Sequence, residues 1–225
     1  MSNKYKLFSL FFIIPFMLVP VIAVAPTVKI TSFWDKTTVP NYIDMKNFEW
    51  AAEAVGSLSK YGILNGYIED EKNYFKANHF TTRAEFAKII VSAFGFYNSS
   101  AKNDMLDNPD YWWAYRYIGS AVNAKIANGY SNEWFGSKDN ILRQDVAVML
   151  VNAINKAGMK LQKTKNYVAF EDDPELSDYA QAAVKTLQEA GIVQGDKFNR
   201  FYPKNNAERA EIAVMIYRVL NNVQN

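Results

Sequence analysis

The feature that most constrains this chain is a pattern that occurs three times. Aligned on Trp50, Trp113 and Tyr179, each segment continues with an alanine: Ala51, Ala114 and Ala180. A glycine follows sixteen residues after each aromatic, at Gly66, Gly129 and Gly195, with Ile63, Ile126 and Ile192 just before it. Further on come Phe75, Phe135 and Phe201, and eight residues after each an arginine: Arg83, Arg143 and Arg209. Two beyond the arginine is an acid, Glu85, Asp145 or Glu211, and each unit opens on an aspartate, Asp44, Asp107 or Asp172. The glycine-to-arginine spacing is 17 in the first unit and 14 in the others. The first unit therefore carries an insertion around residues 67–74, read as a loop, where insertions are tolerated. A chain repeating at this period is a set of stacked supersecondary units rather than one irregular domain.

Within each unit the apolar period is helical. Ala51, Val55 and Leu58 share one face, as do Ala114, Ile118 and Ala121, and Ala180, Val184 and Leu187. The third of these helices runs into Gly191, a common C-terminal signal. A second helix follows each arginine, carried by Phe86, Ala87, Ile90 and Phe94, by Val146, Ala147, Leu150 and Ile154, and by Ile212, Ala213, Ile216 and Val219. Each unit reads as helix, glycine-bearing loop, helix. Such a unit cannot bury its own apolar face. The expected fold is therefore all-α, with units at 42–95, 105–155 and 170–221 packed as a pseudo-threefold bundle. The segments between them are polar and lack a strong pattern.

Ahead of the units, Lys4 and Lys6 precede an uncharged apolar run from Leu7 to Ala25. This is a secretory signal pattern, with cleavage expected after Ala23. The alternative is an uncleaved membrane anchor, against which Pro15 and Pro20 interrupt the run. Residues 24–41 read as an extended N-terminal arm. Without Lys4 and Lys6, basic and acidic residues balance at 23 each, so net charge gives no reason to expect nucleic acid or an anionic membrane. The chain has no cysteine, which removes disulfides, thiolate nucleophiles and cysteine metal sites.

Thr82 and Glu85 form the sequence of a helix N-terminal capping box. Arg83 then lies in the first turn, where the helix dipole is already positive and a cation is mildly unfavourable. The same placement recurs at Arg143 and Arg209. It is poor for the helix and suits an anion, which both a helix N-terminus and a guanidinium attract.

The aspartate, W-A, G, F-x-P and T-R-A-E elements, in three registers, resemble the S-layer homology (SLH) domain over nearly all of residues 42–221. FYPKNNAERAE and FKANHFTTRAE keep the spacing from aromatic to arginine. The resemblance implies a three-pronged helical bundle that attaches exported proteins to the cell wall without covalent bonds. The implied ligand is a secondary cell-wall polysaccharide with pyruvylated sugars, whose ketal carries a carboxylate, held in grooves between the repeats. The T-R-A-E arginine associated with that contact falls on Arg83, Arg143 and Arg209. Gly66, Gly129 and Gly195 would let backbone approach the sugar, and Trp50 and Trp113, with Tyr67, Tyr130 and Trp134, could offer it apolar faces. As aromatics at helical spacing, the tryptophans are expected first to pack between helices. Asp44, Asp107 and Asp172 are expected to cap or turn the chain ahead of the first helix.

Departures rank the units. Leu142 and Glu208 stand where the motif has threonine, and Gln144 where it has alanine. Only the first unit keeps T-R-A-E, so the groove using Arg83 is expected to bind best. The repeats fill most of the expected mature chain, which fits a small surface component, an adaptor or a competitor for wall sites. A second reading keeps the fold as a structural or protein-interaction module, with other surface proteins as partners. A third, a wall hydrolase with paired carboxylates, fits the acids less well than caps and ion pairs do. The lone His79 has no partners for a triad or zinc site, and Glu171-Asp172-Asp173 lacks calcium-loop spacing. No enzyme activity, cofactor or metal is expected.

Overall fold

The computed structural model describes residues 41–224. The signal segment and nearly all of the arm expected from the sequence lie outside these residues. The described chain is helical, with α1 (Ala52–Lys60), α2 (Arg83–Ala93), α3 (Tyr115–Asn123), α4 (Arg143–Lys156), α5 (Asp178–Glu189) and α6 (Arg209–Asn222). A 3-10 turn, Glu49–Ala51, leads into α1. Two antiparallel strand pairs complete it: β1 (Tyr67–Glu69) with β2 (Lys72–Tyr74), and β3 (Lys160–Leu161) with β4 (Val223–Gln224). The fold is the expected all-α bundle.

The helices pair across units. α2 packs on α3, α4 on α5, and α6 returns to α1. Each prong is thus the second helix of one unit and the first helix of the next, and the last prong closes the circle. Ala51, Ala114 and Ala180 are fully buried at the start of the first helices. Phe75, Phe135 and Phe201 are fully buried beneath the second helices' leading turns.

Backbone hydrogen bonds tie the three units at the centre. The amide of Thr81 donates to Ala207 O (3.1 Å), that of Ala207 to Ile141 O (2.8 Å), and that of Ile141 to Thr81 O (2.9 Å), a closed cycle. The next layer repeats the handover: Arg83 N to Asp139 O (2.8 Å), Arg143 N to Asn205 O (2.9 Å) and Arg209 N to His79 O (3.0 Å). Each second helix therefore spends its first amides on the following unit, which satisfies donors that a helix start leaves unpaired.

The opening aspartates act over long range rather than as caps. Asp44 accepts from the amides of Phe75 (2.8 Å) and Lys76 (2.7 Å), Asp107 from Phe135 (2.8 Å) and Ser137 (2.6 Å), and Asp172 from Phe201 (2.9 Å) and Tyr202 (2.6 Å). One carboxylate holds two amides because it is acceptor-only, with two oxygens. Sequence proximity to the first helix suggested a cap; the true partners lie about thirty residues on. Burial opposes ionisation of Asp107, but the Ser137 and Phe135 amides outweigh it and hold the carboxyl below its usual range.

The insertion expected as a loop is a hairpin. Tyr67 pairs with Tyr74 and Glu69 with Lys72 around Asp70 and Glu71, both left-handed (φ 47° and 60°). That is the backbone of a tight hairpin turn. It escaped the sequence reading because the hairpin lies on the surface and shows no apolar alternation.

Candidate functional site

Each repeat arginine reaches into the next unit. Arg83 donates from Nε to Phe135 O (3.0 Å) and from Nη2 to Asn128 O (2.8 Å). Arg209 does the same with Phe75 O (3.0 Å) and Asn65 O (2.8 Å), and Arg143 Nε donates to Phe201 O (2.8 Å). Each guanidinium lies over a buried phenylalanine, with Arg83 4.9 Å from Phe135, Arg143 5.0 Å from Phe201 and Arg209 4.9 Å from Phe75. Tyr130 and Tyr67, which follow the loop glycines, stack on Arg83 at 4.5 Å and Arg209 at 5.1 Å. Two of the three nitrogens of Arg83 and Arg209 thus fix the neighbouring loop and the guanidinium plane. What remains is Nη1.

A third unit completes each groove. Trp50 lines a cavity of about 900 Å³ with Arg143 and Gly195, and Trp113 lines one of about 240 Å³ with Arg209 and Gly66. Tyr179, the corresponding aromatic, meets Arg83 through Asp145, to which its hydroxyl donates (2.7 Å). The arginine, the glycine loop and the aromatic come in each case from three different units. The expectation that the tryptophans pack between helices is overturned. Trp50 is 57% exposed, Trp113 47% and Tyr179 60%. The small alanines beside them take the core positions, and the rings are left at the groove rims.

The glycines serve their own loops. A Cβ on Gly66 would lie 2.3 Å from Tyr74 O and from the Tyr42 ring. On Gly129 it would meet Ser131 O and Trp134 O at 2.6 Å, and on Gly195 the backbone of Asn199 at 2.8 Å. A side chain at any of them would collide with backbone, so the loop's turn is sufficient reason for the glycine. Gly66 and Gly195 nevertheless border their cavities.

The grooves differ in what faces Nη1. Asp145 Oδ2 lies 3.5 Å from Arg83 Nη1, and its other oxygen accepts from Tyr179. Burial, then the Asp145 hydrogen bond and charge, push the Tyr179 hydroxyl up to about 12, so it stays a donor. Gln144, in the motif's alanine position, donates to Tyr179 Oη (2.7 Å) and accepts from Ser177 N (3.1 Å), joining the same network. Glu211 Oε1 lies 2.5 Å from Arg143 Nη1. Arg209 has no carboxylate within 4.0 Å among the described residues. The matching acid, Glu85, borders its groove but is held in the expected capping box. Thr82 donates to Glu85 Oε2 from both N (2.8 Å) and Oγ1 (3.0 Å), and Thr82 Oγ1 accepts from Glu85 N (3.2 Å).

Charge follows the same division. The Arg143 groove is lined by three bases, Arg143, Arg200 and Lys204, and three acids, Asp196, Glu208 and Glu211. The Arg209 groove has Arg209 and Lys88 against Glu85 alone. Burial first, then the charge of Glu211, raises the Glu208 carboxyl, with Arg143 opposing. The Arg209 groove can therefore take a carboxylate on Nη1 with an apolar face against Trp113.

Two expectations change. The first amides of the second helices are taken by backbone carbonyls, so the guanidinium and not the helix end is the donor in each groove. The sequence reading sets the grooves between units but ranks each by the motif of the arginine's own unit, whereas the acid facing Arg83 and Arg143 comes from the following one. The partner unit, the rim lysine Lys88 and the closeness of Glu85 to another unit's arginine were not visible, because register within a repeat says nothing of which copy it faces. Among the described residues no group of three or more His, Asp or Glu could hold a metal, and no helix is long and apolar enough to cross a membrane.

The S-layer homology domain model matches residues 41–87, 108–147 and 169–213. The chain is similar to an amylopullulanase of Thermoanaerobacterium thermosulfurigenes, at 28% identity over 83% of this chain and 10% of that protein. It is similar to the surface-layer 125 kDa protein of Lysinibacillus sphaericus, at 25% identity over 77% of this chain and 14% of that protein. A cellulosome-anchoring protein of Acetivibrio thermocellus is 24% identical over 61% of this chain and 32% of its own length. The chain thus spans a tenth to a third of these relatives.

Proposed function

The chain belongs to the S-layer homology domain family, and from that premise we propose that it anchors to the cell wall by binding an anionic secondary wall polysaccharide. The observation that carries the reading is the Arg209 groove, with a buried guanidinium whose Nη1 has no carboxylate partner, beside the exposed ring of Trp113. A pyruvylated sugar fits its chemistry. The ketal carboxylate would meet Nη1, and the sugar's apolar face would lie on the indole. In this reading residues 1–23 direct export, 24–41 form an arm, and the units at 42–95, 105–155 and 170–221 make a non-catalytic module at the cell surface. The relatives named as an amylopullulanase, a surface-layer protein and a cellulosome-anchoring protein support a part that such proteins hold in common, covering this chain but only a fraction of theirs.

Retention on purified sacculi tests this. The full chain is expected to bind wall material carrying pyruvyl groups and to lose binding when they are removed. Trp113→Ala, at an exposed position, is expected to weaken retention by up to about tenfold, the scale of one aromatic contact. Equal binding to both walls would overturn the anion reading. The internal pairing of Arg83 and Arg143 favours a second reading, an interaction module with degenerate sugar sites, and no binding to either wall would support it.

A further inference from the structure

We propose that the residue preceding each second helix decides whether the previous unit's arginine is open to ligand, and that Thr82 thereby makes the Arg209 groove the single carboxylate site of this chain. The inference rests on the wall-binding reading and names the control of that site.

The three grooves are a natural comparison, because the acid two residues after each arginine borders the groove of the arginine of the unit before. Thr82 gives Glu85 two hydrogen bonds to one oxygen, at 2.8 and 3.0 Å, and Glu85 stays away from Arg209. Glu208 has no such hydroxyl. Its amide still donates to Glu211 Oε2 (3.0 Å), but Glu211 Oε1 reaches Arg143 at 2.5 Å. The like charge of Glu208 also drives Glu211 toward the guanidinium. Leu142 gives Asp145 no side-chain bond at all, and Asp145 lies 3.5 Å from Arg83. In two grooves, then, a carboxylate of the protein occupies the position that a ligand carboxylate needs. A ligand there must displace a bound anion. In the third the position is open, because a local capping box has taken the competitor. Thr82 is a positioning residue for a site whose arginine is 127 positions away in sequence.

The test is titration calorimetry of the full chain with a methyl hexopyranoside bearing a 4,6-pyruvate ketal, and with the ketal-free glycoside. The parent is expected to bind one equivalent of the ketal and none of the free glycoside. Glu208→Thr, which gives the third unit the T-R-A-E sequence, is expected to open the Arg143 groove and raise the stoichiometry to two. Thr82→Val, which removes the hydroxyl without adding charge, is expected to weaken the single site at least tenfold. No binding by the parent would overturn the wall-binding reading itself. A parent that binds one equivalent while Glu208→Thr also binds one, or while Thr82→Val binds undiminished, would overturn the control by the preceding residue and leave that reading standing.

Discussion

At the scale of single residues, the carboxylates that pin the loops are the most consequential side chains. Asp107 replaced by Asn keeps one acceptor and sets an NH2 group against the second amide. We expect a loss of about 2 kcal/mol at neutral pH, the scale of a charged hydrogen bond lost in a partly buried place. The pH dependence follows from the depressed carboxyl. The unfolded group titrates near 4, so the stabilisation is complete above that and is lost as pH falls through the lower folded value. Denaturant unfolding of parent and Asp107→Asn at pH 7 and pH 3 should therefore show a gap that narrows in acid. Glu208 has the opposite sign. Its raised carboxyl is best accommodated when protonated, so its contribution is present below about 4.3 and lost as pH rises through the folded value. Glu208→Gln should gain on the parent in melting temperature between pH 4 and pH 7. Thr81 is fully buried at the centre, and its hydroxyl has no partner among the described residues. Thr81→Val, close in volume, is expected to be neutral or to stabilise by about 1 kcal/mol in the same unfolding measurement.

At the scale of elements, the first helices end in the same way but with different residues. Gly62 and Gly191 follow α1 and α5 in left-handed backbone, at φ 66° and 74°. After α3 the position is Lys125, at φ 60°. A lysine there meets the steric cost that glycine avoids, so Lys125→Gly should stabilise the fold by up to about 1 kcal/mol, measured as a shift in the unfolding midpoint. The helices were legible in the sequence because their apolar period is strong and the glycines and the capping box mark their ends. The hairpin at Tyr67–Tyr74 and the strand pair at Lys160–Leu161 were not, since surface strands of two or three residues leave no pattern. The aspartates were visible as repeated residues but not as clamps. Their partners are fixed by the folded path of the chain, not by spacing along one helix.

At the scale of the whole molecule, the fold is a circle of shared prongs. Threefold repetition was readable directly, and so were the repeated arginine, glycine and aromatic of the proposed site. What the sequence could not give was the handover. Arg209 faces the loop of the first unit, and the first unit's capping-box acid, Glu85, borders the same groove. The ranking that placed the best groove at Arg83 rests on how complete the motif is in that arginine's own unit. In the reading we propose, the Arg209 groove ranks first instead, because Asp145 already faces Arg83. Circular packing also makes the units interdependent. A chain ending after Lys156 leaves α4 without α5 and α1 without α6. We expect it to show no cooperative melting transition by circular dichroism, where the full chain shows one. The central claim is that a ligand carboxylate is read by Arg209, and a crystal structure of the full chain with the pyruvylated hexoside tests it most directly. The account predicts the ketal carboxylate within hydrogen-bond distance of Arg209 Nη1 and the sugar ring against Trp113. A carboxylate bound instead at Arg83, with Asp145 turned away, would contradict it.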